Sequence, residues 1–145
     1  IYFNYKRTPF FDKYSGFFEK LYAKKWQKLV DLNENIIYYM QKELGIKTTL
    51  IKSSDYDFRG KKNDLIIELC KKFEADTYLS GIGGKNYMDL ELFKKNNLKL
   101  AFSDFKHPIY PQRFESFVEN LSTIDLLFNC GPKSLEIIRS TKKNI

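Results

Sequence analysis

The hydrophobic positions fall into alternating helical and strand-like periods. Thr8-Pro9 opens a helical region reaching to Val30, with Pro9 at a first helical position. Phe10, Tyr14, Phe17, Phe18, Leu21 and Leu29 share one broad face, and Gly16 is a point of interruption. Asp31 through Glu34 reads as a capping box with Asp31 as N-cap. The helix it starts carries Ile36, Ile37, Met40 and Leu44, and ends at Gly45 in an αL position. Ile46 to Lys52 is short and β-branched and predicts a strand. A polar loop follows to Lys62, then a helix from Lys62 or Asn63 with Leu65, Ile66, Leu69, Cys70 and Phe73 inward. Asp76 to Ser80 predicts a second strand, Asp89 to Asn96 a short helix and Leu98 to Phe102 a third strand. His107 to Phe114 is irregular and flanked by prolines. Ser122 caps a helix over Thr123 to Asn129, Gly131-Pro132 ends it, and a last helix runs through Arg139 before a frayed tail from Ser140.

Alternation of helix and strand predicts an α/β domain in two or three layers, a short parallel sheet of about three strands flanked by helices, with a helical N-terminal segment. The expected organisation is one domain: a helical segment over 1–30, an α/β core over 31–105, and a loop with C-terminal helices over 106–145. Residue 1 is Ile, so the chain is read as the C-terminal part of a longer one.

At 145 residues, 43% apolar and 30% charged, the chain can bury a core and is neither a disordered tail nor a disulfide scaffold. No apolar run approaches the ~18 residues of a membrane span, and no signal peptide is visible. Cys70 and Cys130 read as small buried hydrophobes and fit a reducing cytoplasm. With one histidine and two separated cysteines, no metal is expected. The net charge of +7 raises the question of nucleic acid. Lysines number 21 and arginines 4, whereas base and phosphate recognition leans on arginine forks. The surplus also sits at the ends: residues 1–30 carry +5 and residues 131–145 carry +3, leaving −1 in between. Both observations disfavour a nucleic-acid partner.

Three segments could carry chemistry. Ser80-Gly81-Ile82-Gly83-Gly84 follows a strand and precedes a helix, the edge where open α/β sheets bind ligands. Its glycines either admit a phosphate to backbone N–H groups or form a tight turn needing positive φ. The G-x-G-G spacing is neither the dinucleotide fingerprint nor a P-loop. The second segment holds His107, either a general base or a surface loop residue, with Tyr110 and Gln112 offering a hydroxyl and an amide to a polar ligand. In the third, Ser122 and Asp125 read either as nucleophile and carboxylate or, more simply, as an N-cap and an acid at a positive helix start.

These segments together resemble a known pattern. Tyr78 to Met88 (YLSGIGGKNYM) resembles Y-L-S-G-x-G-A-x-x-Y-L. Tyr110-Pro111-Gln112 with Phe117 resembles a Y-P-Q…F element, and Leu121 to Gly131 resembles L-S-I-x-D-L-L-F-N-x-G. Leu44-Gly45-Ile46 and Ser53-Ser54 fit in order. The chain is similar to the WbqC-like family of bacterial proteins, associated with O-antigen and other surface-polysaccharide gene clusters. Gly84 replaces the family's usual alanine, which is expected to loosen the loop, and Thr123 replaces an isoleucine. The family's opening H-Q-P…P-W-x-G segment has no match in residues 1–145. The resemblance implies a transferase-type enzyme, or a fragment of one, acting on activated sugars, with a nucleotide or acyl donor and a small-molecule substrate. Ser80, Gly81, Gly83, Gly84, Tyr87, Tyr110, Gln112 and Asn129 are the binding candidates; Asp125, Ser122 and His107 are the catalytic ones. The alternative is a non-catalytic module of a glycan assembly complex.

Overall fold

The computed structural model describes residues 1–141. The described residues form two compact units: Ile1–Thr48 with 106–141, and Thr49–Phe105.

The first unit contains α1 (Tyr2–Tyr5), α2 (Phe11–Ala23), α3 (Leu29–Glu43), α6 (Thr123–Cys130) and α7 (Ser134–Ser140). The second contains α4 (Asn63–Lys72), β1 (Thr77–Ser80), α5 (Leu90–Lys95) and β2 (Lys99–Phe102).

In the first unit, α2 buries Phe11, Tyr14, Phe18 and Leu21, a helical stripe at i, i+3, i+7 and i+10. They close on Leu127 and Phe128 of α6 and on Leu44. Phe128 is fully buried and touched by four aromatic rings: Tyr5 stacked at 5.0 Å, Phe11 at 5.5 Å, Phe18 at 5.8 Å and Tyr14 edge-on at 6.3 Å. Helix α3 packs Leu32, Ile36, Tyr39 and Met40 against the same cluster, with Tyr39 stacked 3.5 Å from Phe17.

The helical region expected over residues 8–30 breaks at Lys24–Lys28. Trp26 folds back there and its indole N–H donates to the Leu21 carbonyl at 2.8 Å, satisfying a helix-end acceptor. Pro9 lies in a turn before α2 instead of in its first turn, and Gly16 does not interrupt the helix. Helix α3 starts at Leu29, so Asp31 stands in its first turn and is not its N-cap. Gly45 ends α3 with φ +67°, as its position predicts. The expected tail from Ser140 is helical at Ser140, and beyond Thr141 it lies outside the described residues.

The sheet has two strands among the described residues. β1 pairs parallel with β2 in the register Thr77↔Lys99 through Ser80↔Phe102. The first of the three predicted strands, over Ile46 to Lys52, is irregular chain. β-branching marks a residue that suits a pleated surface, and without a partner edge it makes no strand. The second core, Ile67 and Cys70 of α4 with Phe93 and Leu98, sits between the helices and the sheet, and Tyr78 stacks on Phe93 at 5.9 Å.

Gly131 joins α6 to α7 with φ +54°, and a Cβ there would stand 2.5 Å from the Phe10 ring. Gly131→Ala is therefore expected to destabilise the first unit by more than ~1 kcal/mol, combining a strained backbone with a ring clash. Phe128→Ala is expected to cost about 3–5 kcal/mol. Urea denaturation of both variants checks the two values, and a change under ~0.5 kcal/mol for either contradicts this packing.

Candidate functional site

Helix α6 carries a carboxylate into the apolar interior. Ser122 is its N-cap, its Oγ accepting from the Ile124 N–H at 3.4 Å. Asp125 stands three residues on, near the positive helix start, and is 5% exposed. Helix α6 is mostly apolar, and Asp125 is buried along with its neighbours Leu126, Leu127 and Phe128.

Its charge is met by neutral donors. The Tyr110 hydroxyl donates to Asp125 Oδ2 at 2.9 Å, and the Gln112 amide donates to the same oxygen at 3.0 Å. Gln112 is itself clamped: its Nε2 also donates to the Val118 carbonyl at 2.9 Å, and its Oε1 accepts from the Val118 N–H at 2.8 Å. The Tyr5 phenol, from 120 residues upstream, lies close enough to the same carboxylate to feel its charge. Asn129 donates to the Asp125 backbone carbonyl at 2.8 Å.

These surroundings keep the donors protonated. Burial pushes the Tyr110 hydroxyl up to about 12; the Gln112 contact opposes this, and Asp125 adds to it through its hydrogen bond and charge. Burial, then the Asp125 charge and hydrogen bond, push Tyr5 to about 12 as well. The Cys130 thiol is raised by burial and then by Asp125. Both tyrosines are thus hydrogen-bond donors at neutral pH.

Among the sequence candidates, Tyr110, Gln112 and Asp125 meet in one cluster, with Asn129 one turn along α6. His107 lies near them: its ring is 5.9 Å from those of Tyr110 and Phe117. Its Nδ1 is 2.9 Å from the Pro108 carbonyl, an acceptor, so Nδ1 carries a hydrogen there. Neither His107 nor Ser122 is among the recorded partners of the Asp125 carboxylate. Tyr5 was not legible as a site residue, because nothing local marks it.

Asn129 also lines a groove of about 580 Å³ with Phe10, Pro111, Cys130, Pro132, Lys133 and Ile137. Its Nδ2 is committed to Asp125, which leaves Oδ1 as its uncommitted polar atom among the described residues. The groove walls are apolar, and Asn129 and Lys133 are its polar lining.

Ser80, Gly81, Gly83, Gly84 and Tyr87 belong to the second unit. Ser80, at the end of β1, is buried. The segment after it forms a 3₁₀ turn over Ile82–Asn86, and none of its glycines has positive φ. Gly81 and Gly83 face open space, where a side chain meets nothing. Gly84 is different: a Cβ would stand 2.0 Å from Ser80 Oγ and 3.3 Å from the Phe102 ring. The glycine is there for close approach, not loop freedom, so the expected loosening relative to alanine does not hold; alanine would force Ser80 to turn away. Tyr87 is exposed and lines a cavity of about 530 Å³ with Lys62, Asn63 and Ile66.

Among the described residues no three His, Cys, Asp or Glu side chains are grouped to hold a metal. No described helix is long and apolar enough to cross a membrane.

Comparison with known proteins gives two matches. The family model described as WbqC-like protein family matches residues 1–137. An uncharacterised protein of Mycobacterium tuberculosis, Rv1507c, is 27% identical over 139 residues, which is 94% of this chain and 60% of the relative. The chain thus spans about three-fifths of that relative's length. No solved structure matches.

The raised tyrosines predict a pH dependence. A phenol whose folded pKa exceeds its unfolded value stabilises fully below the unfolded pKa and loses that stabilisation as pH rises through the folded one. Stability is therefore expected to fall from about pH 10 towards pH 12, with Tyr5, Tyr110 and the half-buried Tyr39 contributing. Tyr110→Phe should flatten this slope by up to about 1.4 kcal/mol per pH unit. It should also cost ~1–2 kcal/mol at neutral pH, where Asp125 loses a donor. Denaturation curves at pH 7 and between pH 9 and 12 measure both effects, and equal slopes for the two proteins would contradict the assignment.

Proposed function

The chain belongs to the WbqC-like protein family, and from that premise we propose that it is the substrate-handling part of a transferase acting on activated sugars in bacterial surface-polysaccharide biosynthesis. The observation that carries this reading is the groove beside the Asp125 cluster. Its volume of about 580 Å³ suits a sugar-sized or nucleotide-sized ligand. Pro111 and Asn129, from two of the family-like segments, line it with Lys133.

In this reading Asn129 Oδ1 accepts from a ligand hydroxyl or amide, and Lys133 meets a negative charge. The apolar walls exclude water from the ligand's ring. Asp125, Tyr110 and Gln112 are positioning residues: they fix the start of α6, and with it Asn129. His107 is the proton-transfer candidate, and Ser122 serves α6 as its cap. The glycine segment of the second unit belongs to donor binding, with a nucleotide or acyl carrier as the donor.

A second reading, a non-catalytic module of a glycan assembly complex, is favoured by α3. That helix leaves Leu29, Val30, Ile37 and Tyr38 exposed on its outer side.

Calorimetric titration with nucleotide-sugars and with acyl-coenzyme A tests the enzyme reading. One class is expected to bind and to raise the melting midpoint by mass action. The double variant Asn129→Ala, Lys133→Ala is expected to bind at least ~10-fold more weakly with its fold intact. Binding unchanged in that variant overturns the groove assignment. Silence from every ligand at millimolar concentration overturns the enzyme reading and leaves the module.

A further inference from the structure

The second unit holds a cavity whose lining includes none of the segment's glycines. It is lined by Lys62, Asn63, Ile66 and Tyr87, and its volume is about 530 Å³. Three of its four lining residues are polar or charged: Lys62 and Tyr87 are exposed, and Asn63 keeps a buried acceptor without a partner.

Lys62 has a backbone of φ +53° and ψ −123°. Side-chain-bearing residues avoid that region at a cost that glycine escapes. A lysine is nevertheless kept there, and among the described residues no acid pairs with its ammonium. Asn63 donates its Nδ2 to the Tyr87 carbonyl at 3.3 Å, while its Oδ1 is buried with no hydrogen-bond partner. An acceptor withdrawn from water without a donor is a standing cost to the fold. Tyr87 is 67% exposed and enters no recorded ring contact, so its ring is an open face. Ile66 supplies the apolar floor.

Together these features describe one ligand chemistry. The ammonium calls for an anion. The free face of Tyr87 suits a flat or ring-shaped body, through stacking on a base or contact with the C–H face of a sugar. The orphaned Asn63 acceptor calls for an O–H or N–H. We propose that this cavity binds a phosphate ester carried on a hydroxylated or N–H-bearing ring: phosphate at Lys62, ring on Tyr87, and a ring donor at Asn63 Oδ1. Sugar phosphates and nucleotides share this chemistry. The site deepens the reading of the glycine segment as donor-binding, since Tyr87 ends that segment, but it assigns the contacts to Lys62 and Asn63 and not to the glycines.

The test uses three probes, UDP, glucose 1-phosphate and inorganic phosphate, followed by amide chemical shifts of the whole chain. Saturable shifts at Lys62, Asn63 and Tyr87 are expected with UDP or glucose 1-phosphate, and whichever binds identifies the source. Lys62→Ala and Tyr87→Ala should each weaken binding about tenfold. Asn63→Asp should weaken it further, by placing a carboxylate beside the phosphate. Lys62→Gly separates ligand from fold: it relieves the backbone and should raise the melting temperature by about 2–4 °C while binding is lost. Inorganic phosphate binding as well as the ring-bearing probes would overturn the ring assignment. Absence of saturable shifts at ~10 mM of every probe, or binding indifferent to Lys62→Ala and Tyr87→Ala, would overturn the site. The Asn129→Ala, Lys133→Ala variant is expected to bind these probes unchanged at this cavity, so failure of the groove reading and failure of this one are separately visible.

Discussion

The first unit is organised by one buried charge. A carboxylate in an apolar interior costs several kcal/mol unless its oxygens are satisfied, and Asp125 has no cationic partner among its recorded contacts. The donors must therefore be brought to it. Tyr110 and Gln112 come from a segment with no regular secondary structure, and that segment is ordered where it serves the carboxylate. Gln112 reaches back to both backbone groups of Val118, which closes the loop around the bond to Asp125. The next residue, Arg113, donates to the carbonyls of Phe3 and Asn4 at 3.0 and 2.6 Å. Those carbonyls end α1, and α1 delivers Tyr5 to Asp125. Hydrogen bonds thus run from Asp125 through the loop to α1, and Tyr5 of α1 returns to the neighbourhood of the carboxylate, which closes the circuit. Three residues along the same helix, Phe128 anchors the aromatic cluster, so polar circuit and apolar core share one short element and fail together.

Legibility in the sequence followed the range of the forces. The stripe of α2, the Ser122 cap, the αL residue Gly45 and the two strands of the second unit depend on neighbours within a few positions, and each was readable. The misread elements depend on distant partners. Ile46 to Lys52 has strand composition, yet a strand needs an edge to pair with. Asp31 has the spacing of a capping box, but the backward fold of Trp26 decides where α2 ends and α3 begins. Gly84 has the look of a source of freedom, but its cause is the Ser80 side chain, a contact between a strand end and the turn after it. Tyr5 could not be found at all. No pattern around it differs from that of the core aromatics, and its role appears only when a carboxylate 120 residues away is placed beside it.

The same contrast separates the two kinds of candidate site. Asp125 is chemically the most arresting residue in the chain, but a carboxylate 5% exposed, with two donors on one oxygen, is held by its surroundings and holds them in turn. Its contribution reaches a ligand through what it fixes: a protonated Tyr110, an ordered loop and the start of α6. The groups with unspent valence lie elsewhere. Asn129 Oδ1 and Lys133 face the groove in one unit; Lys62, Asn63 Oδ1 and Tyr87 line the cavity in the other. In both places the fold presents a cation, an amide oxygen and an apolar surface, which is the minimum needed to recognise an anionic, hydroxylated ring. A fold could satisfy its own polar groups more cheaply than this, and glycine at position 62 would be the easier residue for that backbone. Incomplete satisfaction at these two places, against the closed circuit around Asp125, is the physical distinction between residues that keep the fold and residues left available for binding.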